Sequence, residues 1–593
     1  MSLLGAVLGV VGGIVAGIVN TLAQDVTNGL SLLGTLEAAT FPKFLTNNPL
    51  PNGYPWGTKT ASGSDPYTEY PNTGIVRMYD FTVTRGRIAP DGYYKDVILI
   101  NGQFPGPTIE ANWGDTFQIT VHNQISNPEE GTSFHWHGML QKSTPYMDGV
   151  PAIEQCPIAP GSSFTYTFQA ELYGTSWYHS HYSAQYAGGL LGPMIVHGPS
   201  NADYDIDLGP VFLSDYYHQE YFEIVESVVA GGGKGNPRPQ SDNNLINGKM
   251  TFDCSTKAAG DNTECADNAG ISKFKFTTGK THRLRLINAG GEGLQRFSID
   301  EHEMTVIAND YVPIEPYTTN VVTLGVGQRS DVLVTAKGDS NSAYWMRSNI
   351  STACSGANQP YALAAIYYDQ ADTDSAPDSS AWDVPDPGTC ANDELSVTIP
   401  YYKINTVDPE TTQTYEINNY VNDTGSFLWT LDGVSMRVDY NNPILYLATE
   451  GNYSYPTEWN VRNFGSNSSI RVIVNNPTPA AHPMHLHGHN MQILSEGPGN
   501  WDGTIVRSSN PMRRDVQQLR ANGHMVWQIT TDNPGAWTFH CHIVWHSSGG
   551  LVITILERPD DIKKADQDYR ALTCDNWMKY TNRAVVEQVD SGI

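Results

Sequence analysis

The sequence predicts an all-β protein made of three consecutive, related β-sandwich domains, and three observations support this prediction. The chain has 593 residues, which is too long for a single hydrophobic core. Its 55 glycines, 36 prolines and low charged fraction of 16 % favour turn-rich β structure over helical bundles. The third observation is a strand-like pattern that occurs three times along the chain. Together they indicate three domains of one fold.

The repeated pattern begins with a segment in which apolar and polar residues alternate, as they do along a half-buried strand. Its three copies are GDTFQITVHN (114–123), GKTHRLRLIN (279–288) and SSIRVIVNN (468–476). A second segment follows in each copy, as FHWHGM (134–139), FSIDEH (297–302) and MHLHGH (484–489). The first and third copies also share their ends, GTSWYHSH (174–181) and GAWTFHCH (535–542).

The histidines of the outer copies coincide in this alignment. His135 and His137 match His485 and His487, whereas the middle copy has Ser298 and Asp300 in those places. We therefore expect only the outer domains to hold metal ligands. The expected division is an apolar segment 1–23, an N-terminal extension 24–74, domain 1 over 75–200, domain 2 over 201–390, domain 3 over 391–558 and a C-terminal tail 559–593.

The start of the chain resembles a secretory signal. Residues 1–19 are almost wholly apolar, and the first basic residue is Lys43, so the usual basic start is missing. An apolar membrane anchor is the alternative. After this segment no run of 18 apolar residues occurs, which argues against a membrane-spanning body. Four Asn-x-Ser/Thr sites agree with a secreted, extracellular protein, at Asn349, Asn422, Asn452 and Asn467.

Net charge and cysteine number limit the partners that the protein can bind and the compartment in which it works. A formal charge of −28 argues against a nucleic-acid partner or an anionic membrane. Of the seven cysteines, one metal ligand would leave six for three disulfides in an oxidising compartment. Proximity in sequence favours Cys254–Cys265 and Cys354–Cys390, which leaves Cys156–Cys574. Six cysteines allow 15 pairings, so other pairings stay open.

Ten of the 17 histidines fall in four short clusters: His135/His137, His179/His181, His482/His485/His487 and His540/His542/His546. Residues i and i+2 of a strand point to the same face, so each His-x-His presents two imidazoles to one side. In His540-Cys541-His542 the thiol points to the opposite face and must serve a different metal centre. Two centres would then be joined through the backbone of one residue.

Cys541 needs partners on its own side of the strand. His546 lies five residues on, and His482 can come from the other side of the domain. One Cys and two His with a weak axial position is the pattern of a blue-copper electron-transfer site. Leu551, ten residues after Cys541, stands where a Met often does. Zinc is disfavoured, because this arrangement does not make a closed tetrahedral site.

These residues resemble the motifs of the multicopper oxidase family, and specifically those of laccases from filamentous fungi. The four motifs are HWHG (135–138), HSH (179–181), HPMHLH (482–487) and HCHIVWHSSGGL (540–551). The resemblance runs from about residue 75 to the end of the chain. It implies three cupredoxin-like Greek-key domains and four copper ions, one type 1, one type 2 and two type 3.

The resemblance also assigns roles to the residues. His482, Cys541 and His546 match the type 1 ligands, with Leu551 axial, and His135 and His485 match the type 2 ligands. The type 3 ligands would be His137, His179, His181, His487, His540 and His542. In domain 1, Ser180 stands in place of Cys541 and Gln185 in place of His546, so no second type 1 site is expected. Asp148 lies where laccases keep an acidic proton relay, although it could merely close the turn before Gly149.

The expected activity is a laccase reaction, in which single electrons taken from phenols or aromatic amines reduce dioxygen to water. Glu292, in NAGGEG, matches the position of a carboxylate that accepts the phenol proton, or else is an exposed turn residue. A ferroxidase or another multicopper oxidase, such as a bilirubin or ascorbate oxidase, is the enzyme alternative, and a copper-binding protein without catalysis is a third. We expect a monomer. Whether its phenols belong to lignin degradation, pigment formation or detoxification is left open.

The end of the chain carries a further resemblance. Asp590-Ser591-Gly592-Ile593 is similar to the last four residues of ascomycete laccases, whose tail enters the solvent channel of the trinuclear cluster. A Cys156–Cys574 disulfide would anchor this tail to domain 1. The alternative is a frayed terminus, which is common at chain ends.

Overall fold

The computed structural model describes residues 29–46, 54–229, 238–564, 568–585 and 589–593. The apolar segment 1–23 lies outside these residues, so the expectation of a signal is not addressed by the structure. Within the described part of the chain, no helix is both long and apolar enough to cross a membrane.

Each of the three domains consists of two sheets. The strands of domain 1 are β1 (Val76–Ile88), β2 (Lys95–Ile100), β3 (Ile109–Asn112), β4 (Thr116–Asn123), β5 (His135–Trp136), β6 (Ser163–Gln169), β7 (Gly174–His179) and β8 (Leu191–His197). Domain 2 contains β9 (Ile206–Tyr216), β10 (Asn243–Ile246), β11 (Ser272–Lys275), β12 (Thr281–Asn288), β13 (Gln295–Ile299), β14 (Met304–Asn309), β15 (Val312–Thr319), β16 (Val322–Leu324), β17 (Arg329–Thr335), β18 (Ala343–Ile350) and β19 (Tyr361–Tyr367).

Domain 3 repeats the arrangement and is followed by the tail. Its strands are β20 (Thr411–Val421), β21 (Phe427–Leu431), β22 (Val461–Gly465), β23 (Ser469–Asn476), β24 (His482–Leu486), β25 (Met491–Pro498), β26 (Met512–Arg514), β27 (Val516–Leu519), β28 (Gly523–Thr530), β29 (Gly535–Cys541) and β30 (Val552–Glu557). The short α-helices are α1 (Tyr221–Val229), α2 (Ile444–Thr449), α3 (Val544–Ser548) and α4 (Asn576–Tyr580).

The three domains share one sheet topology. The sheet orders are β2-β1-β4-β6 with β3-β8-β7-β5, β10-β9-β12-β17-β14-β15 with β11-β19-β18-β13-β16, and β21-β20-β23-β28-β25-β26 with β22-β30-β29-β24-β27. Corresponding strands pair in parallel in each domain, as β1 with β4, β9 with β12 and β20 with β23. The prediction of an all-β protein with three cupredoxin-like domains is confirmed. The boundaries near residues 200 and 390 stay predictions.

The alternation seen in the sequence explains how these strands build the core. Along β4 every second side chain is buried, and Phe117, Ile119 and Val121 have no exposed surface. β12 is buried on almost every side chain because its other face meets domain 1, where Arg285 donates to Thr175 on β7. One continuous apolar core runs through domains 1 and 3 and includes some residues of domain 2, such as Phe212 and Ile287, and the rest of domain 2 has a separate core. Domains 1 and 3 therefore behave as a single packed unit.

The disulfides are those expected from the sequence. Cys156–Cys574, Cys254–Cys265 and Cys354–Cys390 are bonded, and Cys541 is a buried free thiol. The pairing prediction is confirmed, and it leaves Cys541 available as a ligand.

Candidate metal centre

Two antiparallel strand pairs, one in each outer domain, position the histidine clusters. β5 pairs with β7 so that His135 lies opposite His179. β24 pairs with β29 so that His485 lies opposite His540 and Met484 lies opposite Cys541. Because both pairs have the same register, the two domains present equivalent imidazole pairs to each other across their interface.

Eight histidines from these strands and the residues after them converge between domains 1 and 3. They form three overlapping groups whose candidate ligand atoms lie within 4.8 Å of one another: His135/His137/His485, His137/His179/His542 and His181/His487/His540. All eight are at most 5 % exposed. Each group draws histidines from both domains, so neither domain could form it alone.

Hydrogen bonds fix the orientation of most of these rings. Nδ1 of His135 donates to the backbone oxygen of Asp148 at 2.9 Å, and Nδ1 of His485 donates to that of Asp515 at 2.9 Å. Nδ1 of His179 and of His540 donate in the same way to the next residue in the chain. Each bond leaves Nε2 directed at the cluster. Such outer contacts orient metal-bound histidines.

Two buried carboxylates, Asp148 and Asp515, contact the histidine rings on the side away from the centre of the cluster. Asp148 Oδ2 lies 2.7 Å from His487 Nδ1, and Asp148 Oδ1 lies 3.3 Å from His135 Nδ1. Asp515 Oδ1 lies 3.0 Å from Nε2 of His137, so this ring alone among the eight is held through Nε2 and turns Nδ1 inward. Arg329 binds Asp515 through two hydrogen bonds of 2.6 and 2.7 Å. Asp148 was singled out in the sequence; Asp515 was missed, because it belongs to no motif.

The cluster has the properties of a metal site. Buried ring nitrogens without a hydrogen-bond partner face its interior on His135, His137, His179, His181, His485 and His542. An unsatisfied buried polar group costs about 1–3 kcal/mol, a cost that metal ligation would remove. Burial, followed by the neighbouring histidines, holds the pKa of His137 and His485 well below the usual value. These rings are therefore neutral, as ligands must be. The residues fit copper.

A second, smaller cluster lies inside domain 3. Cys541 Sγ is 3.5 Å from Nδ1 of both His482 and His546, and the two Nδ1 atoms are 3.1 Å apart. Leu551 is fully buried, and its backbone oxygen accepts from the Cys541 N–H at 3.1 Å. The Trp429 ring centre lies 4.5 Å from that of His546. His482 and Cys541 have no exposed surface and His546 is 6 % exposed, so His546 is the member of this cluster nearest to solvent.

Glu292 lies in the turn between β12 and β13, which packs against α3. Asp215, at the end of β9, accepts hydrogen bonds from the backbone N–H groups of residues 291, 292 and 293 at 2.6, 2.8 and 2.7 Å. The Val544 N–H donates to the Gly291 oxygen, which joins the turn to the helix that carries His546. Glu292 is 5 % exposed, so its interpretation as an exposed turn residue is wrong. Asp215 was not identified from the sequence.

The carboxyl of Glu292 is buried with one oxygen unoccupied. Its Oε1 accepts from the Gly356 N–H at 3.4 Å and lies 3.6 Å from Arg238 Nε, and its Oε2 has no partner. Burial, and then the Asp215 carboxylate, raises the pKa of Glu292 to about 8. This carboxyl is therefore a buried group with a raised pKa and one oxygen without a hydrogen-bond partner.

Domain 1 contains a polar counterpart of the cysteine cluster. Ser180 and Thr132 donate to Oε1 of Gln185 at 2.8 and 2.7 Å. Thr132 precedes His135 by three residues, as His482 precedes His485. The Ser180 N–H donates to the oxygen of buried Leu190, repeating the bond between Cys541 and Leu551. Hydrogen bonds thus replace metal ligation at this place in domain 1.

The last four residues are buried between domains 1 and 3. Ser183, two residues after His181, donates through Oγ to Asp590 Oδ2 at 2.6 Å. Tyr440 donates to the Gly592 oxygen at 2.6 Å, and the Ser591 N–H donates to the Ser548 oxygen at 2.9 Å. Ile593 is 2 % exposed. The frayed-terminus alternative is therefore wrong.

Comparisons with known proteins agree with this geometry. Sequence profiles described as multicopper oxidase match residues 82–201, 207–371 and 403–561. Laccase-2 of Botryotinia fuckeliana is 38 % identical over 544 residues, 89 % of this chain and 90 % of that protein. The crystal structure of the laccase from Botrytis aclada has a TM-score of 0.84 at 36 % identity, covering 91 % of this chain and 98 % of that one. Fet3p, a multicopper oxidase that functions in iron import, has a TM-score of 0.74 at 27 % identity, covering 87 % and 96 %.

Three cupredoxin-like domains, with one cluster inside the third and another shared by the first and third, define a copper oxidoreductase. The chain belongs to the multicopper oxidase family. It is an enzyme of the laccase type, and its cofactors are four copper ions, one type 1, one type 2 and a type 3 pair.

Proposed function

We propose that this enzyme oxidises phenols and aromatic amines by single electrons at the domain 3 cluster and reduces dioxygen at the shared cluster. The observation that carries this proposal is the buried Glu292 carboxyl beside the helix of His546. When bound, copper supplies the redox chemistry, so that four one-electron oxidations and four protons convert one dioxygen to two waters. The chain supplies the ligands, the proton groups and the exclusion of water.

The proposed ligands follow the geometry of the two clusters. His482, Cys541 and His546 would hold the type 1 copper, and the buried Leu551 beside them offers no ligand atom. His135 and His485 would hold the type 2 copper, and the type 3 pair would be held by His137, His179, His181, His487, His540 and His542. Cys541 is directly bonded in the chain to His540 and His542, which provides a short covalent electron route between the clusters.

Glu292 has the role of proton acceptor. A phenol has a pKa of about 10, so its oxidation is easier when the proton leaves for a nearby base. The unpartnered Oε2 of Glu292 is the atom proposed to receive it. A donor that releases only an electron has no proton to transfer, so it would not need this base.

Ferrous iron is a less suitable donor for this site. A metal-ion oxidase needs two or more carboxylates near the exposed histidine to hold its substrate. Asp215 is the other carboxylate described beside Glu292, and both its oxygens already accept backbone N–H groups of the turn. Glu292 would have to bind iron without this neighbour, next to the positive charge of Arg238.

Protons for dioxygen reduction need carboxyl groups near the shared cluster. Asp148 contacts the rings of His135 and His487, and we propose that it passes protons there. Asp590 is the second candidate, because it bonds to Ser183 close to His181 and its carboxyl has a raised pKa caused by burial. In this proposal the tail both fills the space between domains 1 and 3 and supplies a carboxyl for proton transfer.

We also propose that the enzyme is secreted and works as a monomer without nucleic-acid or membrane partners. Three disulfides are stable in an oxidising compartment. The net charge of −28 supports the absence of anionic partners. Of the four glycosylation sites, Asn349 and Asn452 are exposed and Asn422 and Asn467 are partly exposed, as acceptors must be.

Steady-state turnover of the copper-loaded enzyme on a donor panel tests the proposal. The panel comprises substituted phenols, an aromatic diamine, ferrous iron, bilirubin and ascorbate. We expect the highest kcat/KM on phenols and the diamine. A higher value on ferrous iron, together with its insensitivity to Glu292→Gln, would contradict the assignment.

A further inference from the structure

Asp215 fixes the turn that carries Glu292. It is 7 % exposed, and its Oδ1 accepts from the Gly291 N–H at 2.6 Å while its Oδ2 accepts from the N–H groups of Glu292 and Gly293 at 2.8 and 2.7 Å. A Cβ atom on Gly290 would lie 2.8 Å from Oδ1, so glycine there lets the carboxylate approach the backbone. Hydrogen bonds to a carboxylate are shorter and stronger than those between neutral groups. One side chain of β9 therefore determines where the backbone of Glu292 lies.

The same carboxylate is linked to the helix that carries His546. Tyr217 donates its hydroxyl to Asp215 Oδ2 at 3.3 Å, and that hydroxyl accepts from Nε1 of Trp545 at 3.2 Å. The two rings meet edge to face with their centres 5.3 Å apart, and both are buried. Trp545 precedes His546 in α3. Asp215 thus contacts the turn of Glu292 directly and the residue before His546 through one hydroxyl.

The separation of Glu292 and His546 matters because a phenol gives its proton and its electron to different groups. The O–H bond of the phenol breaks, the proton goes to Oε2 of Glu292, and one electron enters the domain 3 cluster, which leaves a neutral phenoxyl radical. Loss of the electron first would create a radical cation, and loss of the proton first would create a phenolate below its pKa of about 10. Both charged species are bypassed when the two acceptors are held in place together.

We infer that Asp215 is a positioning residue for phenol oxidation, which holds Glu292 and His546 at the separation that lets one phenol reach both. This inference rests on the proposed function and adds to it a residue that acts through Glu292. Loss of Asp215 should therefore affect donors that release a proton and spare donors that release only an electron.

The test measures kcat/KM for 2,6-dimethoxyphenol and for ferrocyanide with the copper-loaded enzyme. Asp215→Asn keeps the size of the side chain but replaces one accepting oxygen with an NH2 group, which then faces an N–H of the turn. We expect the phenol value to fall about 10-fold in Asp215→Asn and about 100-fold in Asp215→Ala, as when a reacting group is displaced by about 1 Å. In Asp215→Asn the ferrocyanide value and the blue absorption band should be nearly unchanged. Each enzyme is compared at its own optimum pH, since removing the Asp215 charge also changes the ionisation of Glu292.

A double variant distinguishes positioning from a general structural role. If Asp215 acts through Glu292, adding Asp215→Asn to Glu292→Gln should cause no further loss on the phenol, because the base that Asp215 positions is already absent. A general structural role would lower phenol oxidation again in the double variant.

Asp300→Asn is the matched control. Asp300 is another buried carboxylate of domain 2, hydrogen-bonded to Arg347 and lying beyond the opposite end of β13 from the Glu292 turn, so its variant should keep the ratio of the two donors. The inference would be overturned by an unchanged phenol value in both Asp215 variants, by an equal loss on both donors in Asp215→Asn, or by a further loss in the double variant. Failure of the proposed function would look different, because Glu292→Gln alone would then leave phenol oxidation unchanged.

Discussion

At the scale of single residues, Cys541 joins the two clusters. Cys541→Ser should abolish the blue charge-transfer band and the oxidation of every donor, because serine offers no thiolate to copper. The shared cluster contains no atom of this side chain, so three of the four coppers should stay bound. Visible absorption, metal analysis and steady-state turnover measure the three effects. Zinc in the wild-type protein, or full activity in a colourless one, would contradict the assignment.

The ionisation of Glu292 should control phenol oxidation. Its carboxyl is ionised above a pKa of about 8 and protonated below it, so the phenol rate relative to that of ferrocyanide should rise as pH approaches 8. Glu292→Gln should remove this rise and slow phenols about 10- to 1,000-fold, because a positioned proton acceptor is lost. Ferrocyanide, which releases only an electron, serves as the control donor. An equal loss on both donors would assign Glu292 a structural role.

Leu551 should set the potential of the type 1 copper. Leu551→Met brings a thioether to the axial side, where a weak sulfur ligand stabilises the oxidised ion and lowers the reduction potential. Redox titration of the blue band measures the change. Leu551→Ile is the control, since it keeps the apolar contact and adds no ligand. A potential that is unchanged or higher in Leu551→Met would show that Leu551 is not axial.

At the scale of elements, the tail can be separated from the type 1 site. Deleting residues 590–593 removes Asp590 from Ser183 and opens the space between domains 1 and 3 that Ile593 fills. Reoxidation of the reduced enzyme by dioxygen should slow, whereas anaerobic reduction of the blue copper by a phenol should keep its rate. Stopped-flow absorption follows both steps.

A milder variant separates the carboxyl from the rest of the tail. Asp590→Asn keeps the length of the tail and most of its contacts while removing the acid. It should slow reoxidation in a manner that depends on pH. If reoxidation is unchanged in both the deletion and Asp590→Asn, the tail has no part in dioxygen reduction.

Sequence patterns predicted the strands and their ligand side chains where these depend on residues close together in the chain. The His-x-His spacing places two rings on one face of β5 or β24 because a strand has a period of two. The positions of three strands were also accessible, since the repeated segments are β4, β12 and β23. Contacts that depend on packing were not accessible. Asp515 reaches His137 from the bend between β26 and β27, and Asp215 holds the Glu292 turn from 77 residues away, with no motif at either position.

At the scale of the whole molecule, the Cys156–Cys574 disulfide should stabilise the assembly of domains 1 and 3. It joins residues 418 positions apart, whereas Cys254–Cys265 joins residues 11 apart. Replacing Cys156 and Cys574 with serine should lower the free energy of unfolding by about 2–4 kcal/mol, since the unfolded chain gains freedom. Replacing both Cys254 and Cys265 with serine should lower the free energy of unfolding by a smaller amount. Denaturant midpoints measure the difference, and equal losses would contradict this account.

The shared core makes the two outer domains interdependent. Their apolar residues form one cluster, and every histidine group between them takes ligands from both. Under the proposed function, dioxygen chemistry would therefore be a property of the interface between domains 1 and 3, whereas electron entry would use the cluster of domain 3 together with Glu292 of domain 2.

The triad of Thr132, Ser180 and Gln185 bears on how such an enzyme evolves. Under the genetic code Ser to Cys and Gln to His each need one base change, and Thr to His needs two. The hydrogen bond between Ser180 and Leu190 already has the geometry found between Cys541 and Leu551. A second place of electron entry is thus a few mutations away in a backbone that domain 1 already has. Under the proposed function, exchanging these three side chains would bring a cysteine and two histidines together in domain 1, as they already are in domain 3.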